Sequence, residues 1–309
     1  MHFRSLLCTA ILIFSFSTSL KAESLQLVVS VRPITLLVQE LTQSLPVKIQ
    51  TLLPKGATPH DYALKLSDIR EIQQADMVVW LGPGSEAYLS KAMTHADHQV
   101  IWEALPGLNL LPLRGALHGG NSHGHEHHHS HDSHLSQLDP HFWLSVPNSL
   151  LLLDQILNIL VQLYPDGEAQ LNKNKNRMQQ QLQGHLKKSK EMLALQTSPF
   201  ILAHDAYQYI EKDLSIRSLA TVVLDPEVNP GIKHIFTLKK WVRSKNVACV
   251  VTDPTVSSDL VKKIDPHGHL KRIAIDPLGW DFSGNQYSEW INRTYQKLEA
   301  CLAITNLNS

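Results

Sequence analysis

The stretch PDGEAQLNKNKNRMQQQLQGHLKKSKEMLALQ, residues 165–196, decides the architecture. It opens on Pro165-Asp166, a helix-start signal, and contains no further proline. Leu171, Met178, Leu182, Leu186 and Leu193 follow at spacings of seven, four, four and seven, a narrow apolar stripe on a polar surface. One helix over 166–196 would extend roughly 40 Å or more at ~1.5 Å rise per residue. Gly184 is its only weak point, worth under ~1 kcal/mol. The stripe is too short to favour a coiled coil. The segment reads as a stiff spine between two bodies.

On both sides of the spine, short apolar strands alternate with helices. Strands are expected at 25–31, 47–53, 77–81 and 100–102, with helices at 34–44, 67–74 and 85–94 between them. A strongly apolar helix follows at 147–163. The second half repeats the pattern, with strands at 200–203, 216–219, 247–252 and 272–275 and helices at 206–213, 231–245, 257–264 and 286–301. Such alternation predicts an α/β fold of two lobes, each a parallel sheet covered by helices, joined by one long rigid helix. The expected divisions are a leader (1–22), an N-terminal lobe (23–164, with a histidine-rich loop at 115–138), the linking helix (165–197) and a C-terminal lobe (198–309).

The first residues read as a secretory signal. Arg4 gives a positive start, 6–16 are apolar, and 17–22 are small and polar up to a cleavage point after Ala22. The apolar run is too short to span a bilayer, and Cys8 lies too early for lipidation. No later segment reads as long and apolar enough to cross a membrane, so the expected product is a soluble, exported protein. Export leaves Cys249 and Cys301, and two cysteines in an exported chain point to a disulfide. Closing that loop would contribute roughly 4 kcal/mol on the chain-entropy model. The competing readings are two buried thiols, or metal ligation without the usual CxxC spacing. Basic and acidic residues balance at 28 each, with no long basic run, which argues against nucleic acid and anionic membranes as partners.

Histidine is the chemical signal. His118, His123, His125, His127, His128, His129, His131 and His134 crowd one short segment with few apolar neighbours. Neutral imidazole is the commonest ligand for zinc-like metals, so the segment can collect ions weakly without a fold. An affinity tag would be an unbroken terminal run; this one is internal and interrupted. Four further residues sit where strands end: His60 in GATPHDY, His141 in DPHFWLS, His204 in LAHDAY and Asp276 in IDPLG. Ligands of α/β sheets bind at the carboxyl ends of strands. Singly, each is more often a capping or surface residue. Together, three imidazoles and a carboxylate make a tetrahedral set suited to Zn²⁺.

These motifs carry a resemblance. Pro59-His60-Asp61-Tyr62, Asp139-Pro140-His141-Phe142-Trp143-Leu144-Ser145 and Ala203-His204-Asp205-Ala206-Tyr207 resemble the solute-binding proteins of metal-importing ABC transporters, over essentially the whole mature chain. The histidine-rich loop, and histidine at 204 where the manganese branch usually has a carboxylate, resemble the zinc branch. The resemblance implies two α/β lobes around a rigid helix and a cleft that holds metal. It also implies a Cys249–Cys301 disulfide, a periplasmic location, and delivery of Zn²⁺ to an inner-membrane permease with its ATPase; a monomer is expected. Some zinc-branch members carry an acidic residue before the first histidine, where this chain has Pro59. The fourth ligand is thus open between Asp276 and water. The other readings are an exported zinc hydrolase, a stand-alone metal buffer, and Mn²⁺ as the metal. Hydrolysis needs a base beside the metal-bound water, and Asp61 and Asp205 read more simply as helix caps. No His-Glu-x-x-His helix or Gly-x-Ser-x-Gly strand-to-helix elbow is expected, because the strings that fit those spacings, 125–129 and 120–124, fall inside the histidine-rich segment.

Overall fold

The computed structural model describes residues 24–57, 62–117, 138–194 and 198–303. In the first half, β1 (Leu25–Val29), β2 (Val47–Thr51), β3 (Met77–Trp80) and β4 (Gln99–Ile101) form a parallel sheet ordered β2-β1-β3-β4. In the second half, β5 (Phe200–His204), β6 (Thr221–Val223), β7 (Cys249–Thr252) and β8 (Lys271–Ala274) repeat that order as β6-β5-β7-β8. The helices are α1 (Arg32–Leu41), α2 (Leu66–Gln74), α3 (Ser90–Met93), α4 (Val146–Leu163), α5 (Glu168–Leu193), α6 (Gln208–Leu214), α7 (Ile232–Ser244), α8 (Ser258–Ile264) and α9 (Tyr287–Leu302). The fold is the two-lobed α/β arrangement expected.

Because side chains alternate across a strand, each sheet divides its apolar residues between two faces. Val28, Val78 and Trp80 pack outward with Ile72 of α2 and Met93 of α3. Ile201, Ala203 and Val250 pack outward with Leu238 of α7 and Val261 of α8. The inward residues belong to one continuous core: Leu27, Val29 and Val79 of the first sheet and Phe200, Leu202 and Val251 of the second, bound together through α1, α4, α5 and α9. The lobes are therefore joined by a shared apolar layer as well as by a covalent spine.

That spine is α5, 26 residues long, or about 39 Å. Leu171, Met178, Leu182 and Leu193 are buried as their spacing demands. Asn174 is buried among them because its amide donates to the carbonyls of Leu41 (2.8 Å) and Gln43 (2.9 Å), which the end of α1 leaves without helical partners. Cys249 of β7 and Cys301 of α9 form the disulfide, with Cα atoms 5.5 Å apart.

Three expectations need correction. Helix α4 is 18 residues long and apolar enough, by length and composition, to cross a membrane; its Leu152, Leu153, Ile156 and Leu160 are buried in the shared core. The strand expected at 216–219 begins instead at Thr221. Ile216 N–H bonds to the Glu211 carbonyl (2.9 Å) and Ser218 N–H to its carboxylate (2.6 Å), so 216–218 complete the end of α6. The helix expected at 85–94 is a 3₁₀ turn, Ala87–Leu89, followed by the short α3.

Candidate metal centre

In a sheet ordered like β6-β5-β7-β8, the chain leaves the first strand in opposite directions, and the switch point lies between β5 and β7. The carboxyl ends of those strands are where ligands of α/β sheets bind. His204 is the last residue of β5, and Asp253 directly follows β7. Across the switch point His204 Nδ1 lies 3.3 Å from Asp253 Oδ2. The other oxygen of Asp253 accepts the Thr255 backbone N–H (2.7 Å) and the Thr255 hydroxyl. Both His204 and Asp253 are buried.

His141 has the same kind of partner. Its Nδ1 is 2.8 Å, and its backbone N 3.0 Å, from Asp139 Oδ1. Oδ2 of Asp139 accepts from the Gln208 amide (3.0 Å), and its carbonyl accepts from the Tyr209 hydroxyl (2.9 Å). Trp143, two residues on, donates its indole N–H to the Pro277 carbonyl (2.8 Å), pinning the DPHFW turn to the C-terminal lobe. Burial acts to raise the pKa of Asp139 and Asp253, yet bonds from His141 and from His204 with Thr255 outweigh it and hold both below the usual carboxylate value. An ionised carboxylate at Nδ1 fixes the proton on that nitrogen and makes Nε2 the donor for a metal.

The two rings meet edge to face with centroids 5.1 Å apart. If both Nε2 atoms bind one ion at ~2.0–2.1 Å, each centroid lies about 3.2 Å from it, and a tetrahedral angle separates the centroids by about 5.2 Å. The observed spacing matches that requirement. His141 and His204 line a cavity of about 330 Å³ together with Gly84, Ser85, Arg114 and Asp205.

Asp276 lines a neighbouring cavity of about 490 Å³ with Ala57, Thr255 and Trp280. Its carboxylate accepts backbone N–H groups from Leu278 (2.9 Å), Trp280 (2.7 Å) and Asp281 (3.2 Å). Burial, and then the charges of Asp281 and Asp253, raise its pKa. A cation between these groups would relieve that repulsion. His60 and the tract from His118 to His134 lie outside the described residues, and among the described residues no three metal donors cluster. The tract's flanks are fixed, however. Leu117 bridges to Ala220, Leu138 bridges to Pro112, and Leu138 lines the cavity of His141 and His204.

The sequence missed the partners of the histidines. Asp253 is 49 residues from His204 and becomes its neighbour only through the β5–β7 pairing. Asp205 is not a helix cap: α6 starts at Gln208, and Asp205 is bound in two-pronged fashion by Arg114, 91 residues away.

Residues 27–301 match the family described as zinc-uptake complex component A, periplasmic. The high-affinity zinc uptake system protein ZnuA of Yersinia pestis is 27% identical over 293 residues, covering 90% of this chain and 92% of its own length. Among solved structures, a crystal structure of ZnuA covers 90% of this chain and 99% of its own, at 18% identity and a TM-score of 0.72. The solute-binding protein FpvC of Pseudomonas aeruginosa, solved with Mn²⁺, covers 91% and 99%, at 18% identity and a TM-score of 0.71. Likeness at that identity establishes the fold and does not choose the metal.

Proposed function

This chain belongs to the family of periplasmic zinc-uptake component A, and from that premise we propose that it captures Zn²⁺ with His60, His141 and His204 and delivers it to an inner-membrane ABC permease. Asp276 is the candidate fourth donor, held rigid by its three backbone N–H bonds. The observation that carries the reading is the pair His141 and His204, buried, each backed by a carboxylate at Nδ1, with rings 5.1 Å apart. Imidazole-rich donors suit zinc over manganese. The residues from His118 to His134 serve as a weaker auxiliary collector whose flanks are anchored, Leu117 to Ala220 and Leu138 to Pro112, with Leu138 lining the cavity of His141 and His204.

The protein acts as a binding component rather than a hydrolase. Metal-assisted hydrolysis needs a base beside the bound water, and the carboxylate next to His204 is clasped by Arg114. A stand-alone buffer would not need two buried, carboxylate-oriented imidazoles. The test is a zinc-loaded crystal measured at the zinc absorption edge. One strong anomalous peak is expected ~2.0–2.1 Å from Nε2 of His60, His141 and His204, with Asp276 or water completing the tetrahedron. Imidazoles scattered more than ~5 Å from the peak would refute the assignment.

A further inference from the structure

We propose that Arg114 sets the metal preference of this site by keeping the Asp205 carboxylate out of the coordination sphere; the inference rests on His141 and His204 being ligands. Asp205 follows His204 directly, is buried, and lines the same cavity as both histidines. An anionic oxygen beside an incoming dication is a competing ligand unless another cation claims it. Arg114 does so: Nε lies 3.0 and 3.1 Å from the two carboxylate oxygens and Nη2 lies 2.6 Å from Oδ1. Nη1 pairs with the buried Glu211, whose other oxygen is held by Ser218 N–H, so the guanidinium is fixed on two sides. This planar fork has a geometry that lysine cannot reproduce.

The consequence is chemical. Imidazole donors suit zinc, and carboxylate oxygens suit harder ions such as Mn²⁺. With Asp205 occupied, the cavity offers nitrogen from His141 and His204. Without Arg114, a carboxylate next to His204 joins the donor set and the site hardens. A role confined to folding would weaken both metals alike, whereas this role changes their ratio.

The test uses the full-length, metal-stripped chain. Zn²⁺ affinity of the tightest equivalent is read by chelator competition, and Mn²⁺ binding by the loss of free-ion EPR signal. R114M is expected to lower the zinc-to-manganese affinity ratio by about tenfold to hundredfold, the scale of outer-shell substitutions. R114M/D205N should restore the ratio to near wild type, because the competing carboxylate is gone. R114K, which keeps the charge and protects folding, should fall between, and D205N in that background should again restore it. An unchanged ratio in R114M and R114K, or a lowered ratio that D205N leaves lowered, overturns the proposal. H141A in the otherwise wild-type chain separates the two claims. If it leaves the tight zinc equivalent intact, the site reading itself fails; if it removes that equivalent while the Arg114 variants keep the wild-type ratio, only this inference fails.

Discussion

Replacing Asp253 by asparagine should harm zinc binding more than the same change at Asp139, although each carboxylate backs one histidine. Asp253 Oδ1 receives two donors from Thr255, and Oδ2 faces His204 Nδ1 at 3.3 Å. In Asp253→Asn the amide oxygen is drawn to the Thr255 donors, which turns the NH₂ group toward Nδ1. Nδ1 must then accept, the ring proton moves to Nε2, and the metal-binding lone pair is lost. The opposite amide orientation sets NH₂ against the Thr255 backbone N–H in a buried site, at about 1–3 kcal/mol for unsatisfied donors. Asp139 is more forgiving. Its Oδ1 receives both donors of His141, so an asparagine oxygen can stay there, and Oδ2 meets the side-chain amide of Gln208, which can turn over to accept at the cost of its exposed bond to the Pro112 carbonyl. Outer-shell partners of metal-bound histidine are worth about 10–100-fold in affinity. D253N is expected near the top of that range and D139N near the bottom. Chelator competition for the tightest zinc equivalent measures the loss, and ¹⁵N imidazole shifts report the tautomer of His204. A D253N protein with wild-type affinity, or a D139N protein that loses more, would refute the tautomer argument.

Two further outcomes follow from buried groups and from packing. Burial, aided by the Glu103 charge, pushes the fully buried Glu86 carboxyl up to about 7, against bonds from Leu81 N–H, Ser30 and Tyr88. A folded value above the unfolded one means that ionisation opposes folding. Wild type should therefore lose stability relative to E86Q as pH rises from about 4.5 through 7, by about 3 kcal/mol at most, with the difference constant below that window; parallel urea-unfolding curves at pH 4.5 and 8 would remove the basis for this. Small-angle scattering of apo and zinc-loaded protein should show a radius of gyration constant within about 1 Å, because Glu40 binds Ser288 (2.9 and 2.6 Å) and Ser149 binds Tyr287 (2.6 Å) across the two halves; a change of several ångströms would contradict it.

What the sequence made legible follows period and spacing. Parallel strands buried on both faces appear as short apolar runs, and the leucine spacing of 171–193 describes a helix with one buried stripe, so lobes and spine could be read directly. His141 and His204 were legible because they sit at breaks in those runs, where a strand or turn gives way to a helix. Their partners were not. Asp253 meets His204 only because β7 lies beside β5, and strand order is not written in local pattern. Arg114 precedes the histidine tract with nothing nearby to mark it, and its carboxylates arrive from residues 205 and 211. The misplaced β6 has a similar cause: Ile216 and Leu219 look like a strand, but Glu211 binds the intervening backbone into the end of α6.

The shared core limits how such a protein can let its cargo go. A hinge that separated the lobes would have to part inward residues of both sheets from α1, α4, α5 and α9, which form one apolar cluster. Exposing even about 400 Å² of that surface would cost roughly 10 kcal/mol at ~25 cal/mol per Å², comparable with the whole stability of many domains. Metal binding cannot offset a cost of that size and still leave the ion tightly held. The site itself is built differently. His141 stands on a 3₁₀ turn held by Asp139 and by one indole bond to Pro277, and Asp276 stands on a turn held by its own backbone bonds. Breaking such polar contacts, each worth about 1 kcal/mol net, moves a proposed ligand without opening the core. Exchange should therefore proceed by rearranging the turns that carry the proposed ligands at the carboxyl edges of the sheets, with the two lobes held nearly fixed by the helices between them.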